Sequence, residues 1–579
     1  MKTGFFSTYK RLVPIIKKYI PMYIIGVLFL LLTNSGQLLI PQALRFALDH
    51  LDFRFQAIIA IGILASLVAV GRIGWRFFIV GAARRTERDL RRAVFHHLTL
   101  LEPQYYFKTP IGELMSRLTN DLQNVRMSLG MSVITFVDGS FMGISIITIL
   151  LLTNFFLGAL SILPFFFLII IFLIFGKKVG ELFAQSMKAF AQISDEAQEA
   201  LTGIRVIQSF NREQFFLERM KIVGEKYLKI AIRLVQLWGL YFPIVSFVVG
   251  LTVWILVAVG SNLLLKGEIT TGSFAAFLGY LGMLAWPMIS VAFTIDMLQR
   301  GASSLRRLFE IIDTTPLITS SQEAKRPENF FPIKINNLTF KYQPNLPPAI
   351  ENLSFTIEEK QVVGVLGTIG SGKSTLAWLL CRLLEPPPNT IFMGGQDIRT
   401  WPLDDLRACF SMVPQTPFLF SDTIRNNILM GNPHTTDEEL TRVIEIAGLA
   451  KDLDIFPKGL QTLVGERGIT LSGGQKQRVA LARALLASRP ILILDDALSA
   501  VDAKTEAHII KYLFSHQLTR TIIIISHRIS TLMNCNQVLV LDGGRLIQSG
   551  SPKELLAQEG MFSNIAAIQH YYQRKTIDG

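Results

Sequence analysis

Val362-Val-Gly-Val-Leu-Gly367-Thr368-Ile369-Gly370-Ser371-Gly372-Lys373-Ser374-Thr375 decides the fold of the second half of this 579-residue chain. A β-branched apolar run leads into a glycine-rich turn that opens a helix, the context a phosphate-binding loop requires. Backbone N–H groups of the turn and of the helix N-terminus face phosphate oxygens, Lys373 reaches the β and γ oxygens, and Ser374 can ligate Mg²⁺.

Around this loop, short β-branched runs alternate with helical segments: 333–340, 361–366, 490–494, 521–525 and 537–541. The pattern predicts an α/β unit on a mostly parallel sheet. Ile491-Leu-Ile-Leu-Asp495-Asp496 is an apolar strand ending in two carboxylates. Downstream of a P-loop, Asp495 is placed to hold Mg²⁺ through water and Asp496 to polarise the attacking water.

The first half is of another kind. Half of the chain's residues are hydrophobic and 17% charged, and its mean hydropathy is +0.40, too apolar for a soluble enzyme. Six stretches approach the roughly 20 residues a membrane-crossing helix needs, about 20–44, 56–80, 130–152, 155–176, 238–265 and 272–299. The formal excess of +13 sits entirely in residues 1–310, and the remainder is neutral. These basic residues flank the apolar runs, the distribution of cytoplasmic-leaflet anchoring; nucleic-acid binding would place them on the soluble part. Lys17 and Lys18, the run Arg84, Arg85, Arg88, Arg91 and Arg92, then Lys177 and Lys178 and the stretch Lys221 to Arg233 alternate along the chain with poorly basic turns near 49–54, 153–154 and 266–268, so both termini are expected in the cytoplasm. No removable signal peptide is read in Met1–Lys18. Segments 81–129 and 177–237 are polar and helical in pattern, and read as spans continuing into the cytosol, each broken once, near 108–112 and 209–213. Cys381, Cys409 and Cys535 all fall in the soluble half, as suits a reducing compartment.

With these residues in place the chain resembles the ABC exporters. Leu471-Ser472-Gly473-Gly474-Gln475 before a helix matches the family signature, Tyr342 the adenine-stacking position, Gln415 the Q-loop, Asp502 the D-loop and His527 the switch histidine. Val464 to Gly468 looks like the X-loop. The phrases Gln415 to Asp422 and Asp495 to Asp502 are similar to the MdlA-like multidrug-resistance-like subunits. The resemblance implies an α-helical six-span transmembrane domain (1–313), a linker (314–331) and an α/β P-loop nucleotide-binding domain (332–579). It implies Gly367 to Thr375, Tyr342 and Gln415 around ATP; Ser374, Gln415 and Asp495 around Mg²⁺; and Asp496 and His527 as catalytic groups. Leu471 to Gln475 would contact ATP held by a second half-transporter, so one chain alone completes no site. The two breaks would be coupling helices.

One residue departs from the family pattern: Glu is usual where this chain has Asp496. A side chain shorter by one methylene sets the carboxylate about an ångström farther from the water, worth about 10²-fold in rate. A heterodimer with one degenerate site is therefore expected, inside a bacterial inner membrane and exporting a lipophilic or amphipathic substrate. A homodimeric lipid flippase and a membrane-anchored ATP sensor are the rival readings. Among intramembrane charges, Asp138 is expected to pair with Arg72 or Arg76 near the inner leaflet, and Asp296 is a candidate for the substrate pathway.

Overall fold

In the computed structural model the chain divides into two units, residues 1–99 with 111–314, and residues 100–110 with 315–579. Residues 5–320, 327–465, 468, 471–515 and 520–577 are described.

The first unit is helical. α1 (Ile20–Asp49) and α2 (Arg54–Trp75) form a hairpin, and α2 runs on through a π-turn into α3 (Gly81–Leu100). The short α4 (Pro103–Lys108) belongs to the second unit. α5 (Leu122–Leu129) leads into α6 (Met131–Thr153), followed by the 48-residue α7 (Phe155–Thr202). The short α8 (Ile204–Ser209) precedes α9 (Glu213–Ile255), and α10 (Thr271–Ile312) closes the unit. Five helices among the described residues are long and apolar enough to cross a membrane. The expected fourth span begins α7, where the apolar helix counted among the described residues is Phe155–Phe167. Ile58, Ile63 and Ile73 on α2 are more than half exposed, a surface that lipid satisfies and water does not.

With little hydrophobic drive between helices in lipid, close packing must hold them together. α6 meets α10 at Gly139, where a Cβ would stand 1.8 Å from the Ser290 Oγ. In the polar continuations, ion pairs take over. Buried Asp121 accepts from Ser304 and from Arg307 on α10 (2.9 Å each), and Glu87 on α3 holds Arg91 (2.6 Å) and Arg126 on α5 (3.2 Å). The arginines that marked this region in sequence are thus partly engaged within the unit.

The second unit carries two sheets. β1 (Ile333–Phe340), β2 (Ile350–Ile357), β4 (Ile391–Met393) and β5 (Gln396–Asp397) form an antiparallel sheet in the order β2-β1-β4-β5. The other has the order β10-β9-β3-β8-β7-β6, from β3 (Val362–Gly367), β6 (Phe410–Val413), β7 (Ile491–Asp495), β8 (Thr521–Ile525), β9 (Gln537–Asp542) and β10 (Arg545–Gly550). All its pairings are parallel except β9 with β10. β3, β7 and β8 are buried along their whole length, as a sheet covered on both faces requires. α11 (Lys373–Leu380), α12 (Gly473–Leu486), α13 (Ala503–Ser515) and α14 (Met561–Ile577) complete the elements that matter for the site.

Candidate functional site

Three parallel strands deliver the site to one sheet edge. β3 ends in the glycine-rich loop, β7 in Asp495 and Asp496, and β8 one residue before Ser526 and His527, so the carboxyl ends of neighbouring strands converge where ligands bind in open α/β sheets. The loop fits only as glycine at its tight points. Gly372 has φ +91, and a Cβ there would lie 2.4 Å from the Ala349 carbonyl oxygen. Immediately beyond, α11 begins at Lys373, whose ammonium donates to the carbonyls of Gly367 (3.0 Å) and Thr368 (2.6 Å). Burial lowers the Lys373 pKa, and the nearby Asp495 and Asp496 oppose that shift. Ser371 Oγ lies 3.3 Å from the same nitrogen, Thr368 bonds Asp542, and Ile369 points outward. Tyr342 is part-exposed beside the loop, its hydroxyl 3.0 Å from that of Thr375 and its ring edge-to-face with Phe340, centroids 5.3 Å apart.

Asp495 is buried and bonded by Ser374; burial raises its pKa above the ordinary carboxylate range, and the Ser374 bond works against it. A buried carboxylate held by a hydroxyl on the phosphate side is a fitting pair of ligands for a divalent cation. Gln415 follows β6 in an exposed bend. Asp496 has a left-handed backbone, φ +47. Its N–H donates to Ile525 (2.9 Å) and its carbonyl accepts from the Ser499 hydroxyl (2.9 Å). Asp and Asn tolerate this conformation better than Glu does.

The signature builds a helix start. Ser472 caps α12 by accepting from Gln475 N–H, and the Gln475 side chain accepts from the Ser472 N–H, a reciprocal capping box. Gly473 and Gly474 open the helix, Leu471 is buried beneath it, and α12 aims its positive end outward. Asp452 steadies this end from below, bonding Gln475 (3.1 Å) and forking onto Arg478 (2.9 Å twice). Asp502 caps α13 through the Thr505 N–H (3.0 Å) and is thereby held below the usual carboxylate range. Of the X-loop, Glu466 and Arg467 lie outside the described residues.

Three residues escaped the sequence reading. Gln477, 4% exposed, accepts from the Ala500 N–H (3.0 Å) and donates to Ser499 Oγ (3.1 Å) and the Asp496 carbonyl (3.4 Å), tying the signature helix to the D-loop. Gln569 on α14 grips the switch segment on both sides, donating to the His527 carbonyl (2.7 Å) and accepting from the Ile529 N–H (2.9 Å). Arg528 pairs with Glu506 and donates to the Ser499 carbonyl (3.1 Å). No local motif announces them, because most of their partners are main-chain atoms far along the chain.

In the membrane unit the expected Asp138 pairing is overturned. Asp138 accepts from the Trp286 indole N–H (2.8 Å), while Arg76 stacks over Trp75, one position away on its own helix. Neither Arg72 nor Arg76 makes an ion pair among the described residues. Asp296 pairs one turn along α10 with Arg300 (2.7 Å), both part-exposed. At the break after α3, Phe107 on α4 stacks on Trp378 of the P-loop helix, ring centroids 5.8 Å apart.

Known proteins match both halves. Residues 23–288 fit the model of the ABC transporter transmembrane region and 350–499 that of the ABC transporter. A probable multidrug resistance ABC transporter ATP-binding/permease protein of Bacillus subtilis, YheI, is 35% identical over 96% of this chain and 97% of its own length. The chain belongs to the ABC transporter family. The multidrug resistance-like ATP-binding protein MdlA of Escherichia coli is 33% identical over 88% of this chain and 86% of its own. A bacterial Atm1-family ABC exporter solved with ATP bound has a TM-score of 0.78 at 27% identity, covering 95% of this chain and 99% of that one. The protein is thus a membrane-embedded ABC exporter with an ATP-binding, ATP-hydrolysing domain, and exporters of this family work as dimers.

Proposed function

We propose that this ABC exporter moves a lipophilic or amphipathic molecule of multidrug or lipid type, and does so as one half of a heterodimer whose slow site is its own. The observation that carries the reading is Asp496. Everything else at the strand edge keeps the family's side chains, yet the carboxylate that would polarise water is short by one methylene and sits on a left-handed backbone. ATP and Mg²⁺ would be held by Tyr342, the 367–375 loop, Asp495 and Gln415, with Ser374 on the metal. Mg²⁺ would neutralise phosphate charge; Lys373 orients the β and γ groups, and Asp496 places water, at a distance costing about 10²-fold in rate. The intact 471–475 signature would complete a competent site on the partner, and Asp502 and His527 would serve the shared interface.

Binding to both sides of ATP favours the closed pair, and hydrolysis removes that preference. Closure would reach the spans through α4, whose Phe107 rests on the P-loop helix, and through α8. The nucleotide-binding domain would lie in the cytoplasm and the spans in a bacterial inner membrane.

A second reading, a homodimer of lipid-flippase type, draws on His527, which is retained although a decayed site has no need of it. Steady-state Mg-ATP hydrolysis by the purified chain alone in lipid, beside Asp496→Glu, separates the two. Silence in the unaltered chain with turnover in the variant supports the heterodimer; ordinary turnover in the unaltered chain refutes it. Vectorial dye movement that dies with Lys373→Ala would exclude an ATP sensor without transport.

A further inference from the structure

Asp138 lies eight residues into α6, about 23 Å by helical rise from the far end of that span at Thr153. It lies within the stretch read as a membrane span, about two turns from its start at Met131, where a carboxylate is expensive and by default serves a pathway or a partner. No Lys, Arg or His pairs with it among the described residues; what holds it is the Trp286 N–H on α10, bonded to one of its two oxygens. The position is rigid, because Gly139, the next residue, sits against Ser290 with no room for a methyl, and Thr135 and Thr294 bond each other one turn away (2.7 Å). Trp286 is half exposed, so its ring face is open while its N–H is occupied.

One turn farther along the same two helices, Met142 and Met283 line an open cavity of about 410 Å³ with Gln37, Ile40 and Pro41 of α1. That is drug-sized. Thioethers adapt to irregular apolar shapes, an indole face attracts organic cations, and a carboxylate without a cation supplies the complementary charge. A neutral lipid tail would use the cavity but leave Asp138 unanswered; an anion would be repelled by it.

We propose that Asp138 and Trp286, with the Met142 and Met283 cavity beside them, form a binding site for lipophilic organic cations, the carboxylate selecting positive charge and the cavity taking the apolar body. The assignment deepens the exporter reading and rests on it for the direction of movement, but not for binding.

The test is equilibrium binding of tetraphenylphosphonium to the purified chain in phosphatidylcholine nanodiscs without nucleotide, beside the uncharged triphenylphosphine oxide. Expected are saturable binding of the cation, at least a tenfold loss in Asp138→Asn, retention within threefold in Asp138→Glu, and little effect of either change on the neutral compound. Trp286→Phe, which keeps a ring but loses the N–H, should retain cation binding better than Trp286→Ala. Absence of saturable cation binding, or equal affinity in Asp138→Asn, overturns the site. Should Asp138→Asn not fold, the two Trp286 variants decide, and equal affinity in both overturns it. The exporter reading fails separately: binding as expected with no Lys373-dependent movement of any dye refutes transport and leaves the site standing, whereas transport indifferent to Asp138→Asn does the reverse.

Discussion

Replacing Gln477 by Leu keeps the side-chain volume and removes the three hydrogen bonds by which Gln477 holds Asp496, Ser499 and Ala500 to the signature helix. The Ala500 N–H then loses the acceptor it has at 3.0 Å, and the Ser499 hydroxyl and Asp496 carbonyl lose a donor. Gln477 is 4% exposed, so water does not readily replace it. A buried donor left unmade costs about 1–3 kcal/mol. Taking about 2 kcal/mol, and about 1.4 kcal/mol per factor of ten, residues 499–502 should open about 30-fold more often. Native-state hydrogen exchange followed by mass spectrometry reads this directly, as an about 30-fold loss of protection at the Ala500 amide. Peptides from β7 should be unchanged, because Ile491–Asp495 is fully buried and laddered on both sides. Gln477→Glu keeps an acceptor for Ala500 and should fall between. Unchanged exchange at Ala500, or equal loss through β7, refutes the reasoning.

Asp452→Ala leaves the Arg478 guanidinium largely buried without its carboxylate and should destabilise the nucleotide-binding unit by about 3–5 kcal/mol, read from denaturant unfolding of the detergent-solubilised chain. Phe107→Ala removes the ring stacked on Trp378, worth about 0.5–1.5 kcal/mol, and should reduce stimulation of ATPase by transported substrate while sparing nucleotide binding; undiminished stimulation would discount α4 as a route. On the proposed role of Asp495 at Mg²⁺, the burial that raises its pKa lets protonation compete with the metal at a higher pH than for an ordinary carboxylate, so Mg-ATP affinity should fall on acidification before exposed carboxylates titrate. Calorimetry over an acidification series checks this, and Asp495→Asn should reduce the slope to that set by the titration of ATP itself.

What was legible in the sequence follows the physics of each element. β3, β7, β8 and β9 were placed within a residue or so, because strands covered on both faces must read as unbroken apolar β-branched runs. β2, Ile-Glu-Asn-Leu-Ser-Phe-Thr-Ile, was missed because its polar positions belong to an antiparallel sheet with an open face, and β6 because four residues carry too little pattern. The segment holding α4 falls within the 1–313 bounds, since its chain neighbours are membrane helices, while the break after it reads by resemblance as a coupling helix; the aromatic contact with Trp378, 271 positions later, groups α4 with the other unit. Asp138 shows the limit of charge reasoning. Opposite charges in one membrane suggested an ion pair, but α6 packs on α10 through Gly139, and that register delivers an indole from 148 positions away.

The geometry also bears on why Asp at position 496 is compatible with an intact signature. The main chain of residue 496 does structural work: its carbonyl receives Gln477 and Ser499, and its N–H completes the β8 edge. These contacts depend on the left-handed turn at φ +47, which Asp adopts at less cost than Glu. A change of side chain that preserves the turn leaves Gln477, the D-loop and the start of α12 where they were, and withdraws only the carboxylate from the water. On the heterodimer proposal, that separates the two duties of this strand end. The site on this chain slows, while the surface offered to the partner's ATP keeps its shape. Asp496→Gly distinguishes the duties: it tolerates the turn and removes the carboxylate, so exchange at Ala500 should stay within about threefold of the unaltered chain. Protection lost at Ala500 in that variant would show that the side chain itself supports the D-loop, and the separation would fall.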